Sequence, residues 1–179
     1  MQQKRNIATL ILREVKGGRV LSAQIEELVA LAKDGSAEAF GDLYEIYYKE
    51  MYCYACYVTG SESLAQDAVS DAVLSAFRQI KSLKNAKAFK GWLFKILCAA
   101  CKRYYTDNEK KKSVVYLDDE EGGYTEPASY DSIELSVELK EALGTLSAEE
   151  REIVVLSVLG NYKSLDISDI LDCPSATVR

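Results

Sequence analysis

The chain has 179 residues, 48% of them hydrophobic, a formal net charge of −6 and no histidine. That much apolar material excludes a disordered chain, and the missing histidine excludes Ser–His and Cys–His catalytic sets. No Walker loop, no G-x-G-x-x-G and no apolar run near the roughly 18 residues of a membrane span is present; the expectation is a cytoplasmic, non-enzymatic protein with no catalytic residue, cofactor, membrane span or signal peptide.

Residues 1–21 read as a lead-in. From Ser22, the positions Ile25, Leu28, Val29 and Leu31 predict a short helix ending near Gly35. Ser36 supplies half a capping signal, and Phe40, Leu43, Tyr44, Tyr47, Met51, Tyr54, Ala55 and Val58 recur at helical spacing up to Gly60. Ser61 or Ser63 opens the next helix, with the stripe Leu64, Ala68, Val69, Ala72, Val73, Ala76, Phe77 and Ile80. After a loop from Ser82 to Ala88, a third long helix carries Phe89, Trp92, Leu93, Ile96, Leu97, Ala100 and Tyr104. Three amphipathic helices with short connections predict a bundle over 22–106, with Leu43, Tyr47, Val69, Ala72, Ala76, Trp92, Leu93 and Ile96 in a common core.

Residues 107–132 break the periodicity and read as an extended acidic linker, with Asp118–Glu121 exposed. A smaller helical unit fills 133–179: a helix bearing Ile133, Leu135, Leu139 and Leu143, a second capped by Ser147 with Glu150 at the capping-box position, and a third over Ser164–Leu171. Asn161 suits a left-handed turn. Asp172-Cys173-Pro174 reads as a turn, and Ser175 as the start of a further helix, which makes a helix-turn-helix. Only five residues follow Pro174, whereas about 11 are needed for the three turns that cross a major groove. The expectation is therefore a recognition helix largely missing from this sequence, and no specific duplex binding by it.

The net charge hides a polarity. Lys87 to Lys112 holds eight basic and two acidic residues, a net +6; Val114 to Asp131 holds six acidic and no basic ones, a net −6. The cationic stretch suits phosphates, and the loop before it offers Lys84 and Lys87 for the backbone and Asn85 for a base edge. Lys90, Lys95, Lys102 and Arg103 extend that track, with Tyr105 beside it. Cys53-x-x-Cys56 and Cys98-x-x-Cys101 set two thiol pairs on helix faces. Packing is their expected role; a four-cysteine zinc or redox site is the alternative.

Three stretches resemble the extracytoplasmic-function (ECF) group of sigma factors. Ala39-Phe40 through Leu43-Tyr44, Tyr47 to Tyr52 and Thr59-Gly60 is similar to region 2.1; Ala65-Gln66-Asp67-Ala68-Val69-Ser70-Asp71-Ala72-Val73 through Ala76-Phe77 to region 2.2; and Phe89-Lys90-Gly91-Trp92-Leu93-Phe94-Lys95-Ile96 to the Trp-Leu-Tyr-Arg-Ile box of regions 2.3 and 2.4. Leu143 to Leu146, Arg151, Val154 to Leu156 and Asp166 to Leu171 up to Thr177-Val178-Arg179 resemble region 4. The sequence departs from the family at Ala99, where Asn is frequent, and at Cys98, where Arg is frequent.

The resemblance implies an all-helical protein with region 2 over 22–106, a linker over 107–132 and region 4 over 133–179, acting with core RNA polymerase and promoter DNA and with an anti-sigma factor as a candidate partner. It implies that Gln66, Asp67, Ser70, Asp71 and Arg78 face the clamp helices of polymerase. It also implies that the loop at Lys84, Asn85 and Lys87 captures a flipped base of the minus-ten element, that Lys90, Lys95, Lys102 and Arg103 follow the strand, and that Thr177 and Arg179 contact DNA from region 4. The alternatives are a sigma-like interaction protein that binds polymerase or a regulator without reading promoters, and a thiol-metal sensor using Cys53, Cys56, Cys98 and Cys101.

Overall fold

A computed structural model describes residues 18–114 and 137–179, and every regular element among them is helical. Helix α1 spans Gly18–Lys33, α2 Ala37–Thr59 and α3 Glu62–Gln79; two single 3-10 turns, Ile80–Ser82 and Ala86–Ala88, lead into α4, Phe89–Val114. The second unit holds α5, Val137–Gly144, α6, Ala148–Val158, and α7, Ser164–Leu171.

Local chemistry sets these boundaries. Ser36 Oγ accepts from Ala39 N at 3.2 Å and Ser61 Oγ from Leu64 N at 3.4 Å, so Ser61 rather than Ser63 caps α3. Gly60 ends α2 at φ +67°, and its N–H returns to Cys56 O; a left-handed position of this kind favours glycine. Ser147 and Glu150 close a capping box at the start of α6, and the two hydrogen bonds from Ser147 lower the Glu150 carboxyl below its ordinary range. Asn161 and Asp172 also take left-handed positions, at φ 50° and 55°.

The core lies between α2, α3 and α4. Leu43, Tyr47, Val69, Ala72, Ala76 and Leu93 are all buried there, as the stripes predict. Four expectations need correction. Trp92 and Ile96 are only partly buried, because the α4 face that turns fully inward runs through Phe89, Leu93, Phe94, Leu97 and Cys101. Phe77 stays 44% exposed and meets Phe40 edge to face at the rim. Helix α4 continues to Val114, eight residues into the stretch read as linker. Residues 175–178 form turns, with Thr177 N donating to Pro174 O at 2.9 Å, rather than a helical start; a first turn fixes several dihedrals for a single hydrogen bond and needs propagation to persist. Asp118–Glu121, Ile133 and Leu135 lie outside the described residues.

The two units touch. Helix α7 lies on α4, and α6 on α2. Arg151 of α6 fastens the second contact: Nε donates to Leu143 O at 2.9 Å, Nη2 to Leu146 O at 3.2 Å, and Nη1 crosses to Val58 O at 3.2 Å, at the carbonyl-rich end of α2. The spacing of Arg151 along its own helix gave no sign of these partners, one of which is 93 residues away.

Candidate nucleic-acid interface

The 3-10 turn before α4 begins at Asn85, whose Oδ1 accepts from Lys87 N at 3.0 Å. An amide side chain carries two N–H donors besides its oxygen, so exposed Asn85 can offer donors to a base edge while its oxygen holds the loop. Lys84 and Lys87 flank it and are exposed, with no ion pair to any described residue. The loop is held from behind by Lys33, whose Nζ donates to Leu83 O at 2.7 Å.

These residues form one wall of a cleft of about 600 Å³ that Lys84, Asn85, Lys87, Lys90, Trp92 and Lys95 line from the first unit. Partly buried Trp92 lines the same cleft, and an aromatic ring can stack on a base. The opposite wall comes from the second unit: Tyr162, Asp166, Asp169 and Ile170. The seven residues that the sequence assigns to the strand-contacting loop and track, Lys84, Asn85, Lys87, Lys90, Lys95, Lys102 and Arg103, therefore do not share one state. Lys90 Nζ lies 2.7 Å from Glu50 Oε1 and 5.0 Å from the centre of the Tyr162 ring. Lys95 Nζ donates to Asp169 O at 3.2 Å and lies 3.9 Å from Asp172 Oδ1. Lys102 is exposed on the far stretch of α4, beside Glu152 of α6.

Arg103 is engaged as well. Its Nη2 lies 3.5 Å from Asp71 Oδ2, which also accepts from Tyr104 Oη at 3.0 Å. Asp71, read as facing polymerase, and Arg103, read as facing DNA, thus satisfy one another across α3 and α4. Gln66, Asp67, Ser70 and Arg78 are exposed on α3. Sequence reasoning missed Leu74 and Phe77, which stand on the same outer face, 54% and 44% exposed. Two large apolar residues three apart on an otherwise polar helix face are the signal that marks them. Thr177 and Arg179 are exposed in the terminal turns.

The thiols behave as packing groups. Cys56, Cys98 and Cys101 are buried and Cys53 is partly buried. Cys98 Sγ donates to Tyr54 Oη at 3.1 Å, and burial pushes its pKa up to about 12. Cys101 rises too, again by burial first. Zinc takes thiolates, which this environment disfavours, and no cluster of three His, Cys, Asp or Glu suited to a metal occurs among the described residues.

The family model for sigma-70 region 2 matches residues 43–111, and that for sigma-70 region 4 matches residues 136–179. The chain belongs to the sigma-70 family. Within it, the chain is an ECF sigma factor: it is 25% identical over 173 residues to the ECF RNA polymerase sigma factor SigW of Bacillus subtilis, covering 89% of this chain and 91% of SigW. It is 26% identical over 164 residues to the ECF RNA polymerase sigma-E factor of Escherichia coli K12, covering 85% of each. Among solved structures, the sigma factor RpoE of Bartonella quintana, in complex with the anti-sigma factor NepR, superposes with a TM-score of 0.60 at 24% identity, covering 79% of this chain and 88% of that one. CnrH in complex with the cytosolic domain of CnrY gives 0.64 at 18% identity, covering 87% of each. Most of α2, all of α3 and most of α4 of this sigma factor fall within the region 2 match, and α5–α7 within the region 4 match. No described helix is long and apolar enough to cross a membrane.

Proposed function

We propose that this sigma factor carries no catalysis of its own, joins core RNA polymerase in the cytoplasm through the outer face of α3, and holds the displaced promoter strand in the cleft at the start of α4. The observation that carries the reading is the convergence of Lys84, Asn85, Lys87 and the partly buried Trp92 on one cleft. Cations for phosphates, donors for a base edge and an aromatic face are the three elements of single-strand capture. On α3, Leu74 and Phe77 supply the apolar centre of a docking face, and Gln66, Asp67, Ser70 and Arg78 its polar rim. Asp71 serves indirectly, by fixing Arg103 and Tyr104. Thr177 and Arg179 add phosphate contacts from region 4. The structural likeness to RpoE, solved with the anti-sigma factor NepR, supports an anti-sigma factor as a partner for this chain as well.

The test is the salt dependence of strand binding. In the polymerase complex, Lys84→Ala and Lys87→Ala should each weaken binding of a labelled single strand whatever its sequence, and each should lower the salt slope by about one unit. Unchanged affinity and slope in the double variant would remove the cleft from the reading.

A further inference from the structure

Behind the loop that carries Asn85 stands α1, and the last residue of α1 reaches into that loop. A lysine in the last turn of a helix ordinarily serves that helix's own carbonyl end. Here the backbone has taken that role. The N–H groups of Asp34, Ser36 and Gly35 donate to Ala30 O, Leu31 O and Ala32 O at 3.0, 3.0 and 3.1 Å, round Gly35 at φ +103°. Lys33 is left to cross 50 positions of the chain, and its Nζ donates to Leu83 O at 2.7 Å in a part-buried place. A charged donor on a carbonyl makes a short, strong bond.

What that bond fixes follows from the peptide unit. The Leu83 carbonyl and the Lys84 amide nitrogen share one plane, so a tether on the oxygen sets the direction in which the chain leaves for Lys84 and Asn85. The buried Leu83 side chain holds the same residue in the core. Past Asn85 the chain is held again, by Lys87 N on Asn85 Oδ1, by Ala88 N on Asn85 O at 3.0 Å and by buried Phe89. Helix α1 touches both 3-10 turns, yet a cavity of about 220 Å³ separates Ser22, Ile25 and Glu26 of α1 from Ala86 and Lys87 of the second turn. Close packing leaves that side of the turn partly unsupported, and Lys33 supplies a polar tie.

We infer that Lys33 is a positioning residue for base choice: its ammonium fixes the Leu83–Lys84 peptide and thereby aims Asn85 at the captured base. Lys33 acts through that peptide and touches neither base nor phosphate. A group that reads a base edge needs its supports held to about half an ångström. Helix α1 ends at Lys33, and the region 2 match begins at residue 43, so a helix outside that match becomes a determinant of promoter sequence. This inference rests on the single-strand reading of the loop, and its experiment separates the two.

The complex of core polymerase with the full chain is offered a pool of single-stranded oligonucleotides randomised over a short window, and the bound fraction is sequenced. A hydrogen-bonded base contact discriminates by roughly tenfold, and Asn85→Ala should erase such a preference at one position, which marks the captured base. Lys33→Met keeps an unbranched side chain of good helix propensity. It should cut the preference at that same position to about threefold or less and leave the other positions alone. Lys33→Arg, still a cationic donor, should restore most of the preference. The salt slope of binding should not change in Lys33→Met, whereas loss of a phosphate-contacting lysine lowers it by about one unit. Helical content should also hold, because Lys33 is only partly buried at the end of its helix. A full preference at the Asn85 position in Lys33→Met, a lowered salt slope or an unfolded chain would overturn the positioning role. If Asn85→Ala erases a position that Lys33→Met leaves intact, that role alone fails. If Asn85→Ala alters no position, the single-strand reading of the loop fails and takes the role of Lys33 with it.

Discussion

Replacing Phe94 by alanine is expected to destabilise this protein by about 3–5 kcal/mol, the usual range for emptying a fully buried aromatic site. Phe94 is 1% exposed. Its ring meets Tyr54 of α2 edge to face at 5.9 Å and Tyr162 of region 4 at 5.6 Å. The loss therefore falls on the bundle and the seam together. Urea unfolding followed by circular dichroism should show the midpoint drop, and Trp92 emission should shift to the red even before the main transition. A change below about 1 kcal/mol, the ordinary level for a surface substitution, would mean that Phe94 does not fill the core.

The second large effect concerns Glu152, a carboxyl on α6 that is only 8% exposed. Burial raises its pKa to about 7, Glu149 pushes in the same direction and Lys102 opposes. From α4 it faces Lys102, Cys98 and Cys101, and from α2 Tyr54. The unfolded carboxyl titrates at its ordinary 4.5. Between 4.5 and about 7 the folded chain therefore binds more protons than the unfolded one, and stability falls as pH rises through that window. Above it the loss is complete. Glu152→Gln keeps the shape and removes the titration. The variant should match the native chain near pH 4 and exceed it at pH 8, by up to about 3 kcal/mol at 1.36 kcal/mol per pKa unit. Parallel melting-temperature profiles for the two chains between pH 4 and pH 8 would contradict that account.

Helices and caps were legible in the sequence because they depend on neighbours. Ser36, Gly60, Ser147 with Glu150, and Asn161 all work within about four residues, and each does what its local chemistry dictates. The cationic track was only half legible. Charge marked Lys90 and Lys95, but the partners that engage them, Glu50, Tyr162, Asp169 and Asp172, lie 40 to 77 positions away along the chain. The pair Asp71 and Arg103 was hidden for the same reason. Phe94 escaped the stripe because α4 is packed against α2, α3 and α7 at once. A helix buried on several sides has no single apolar face for periodicity to find. Trp92 erred the other way: a large aromatic ring at a core-like spacing lies instead at the edge of the cleft.

The function proposed for region 2 requires it to open promoter DNA together with core polymerase. Permanganate footprinting reads this on template DNA incubated with core polymerase and the 179-residue chain. Reactive, unpaired thymines are expected just upstream of a transcription start, seen only when both proteins are present and lost when Leu74 and Phe77 are both replaced by aspartate. A chain that binds core polymerase yet leaves every thymine of every transcribed template protected would contradict it.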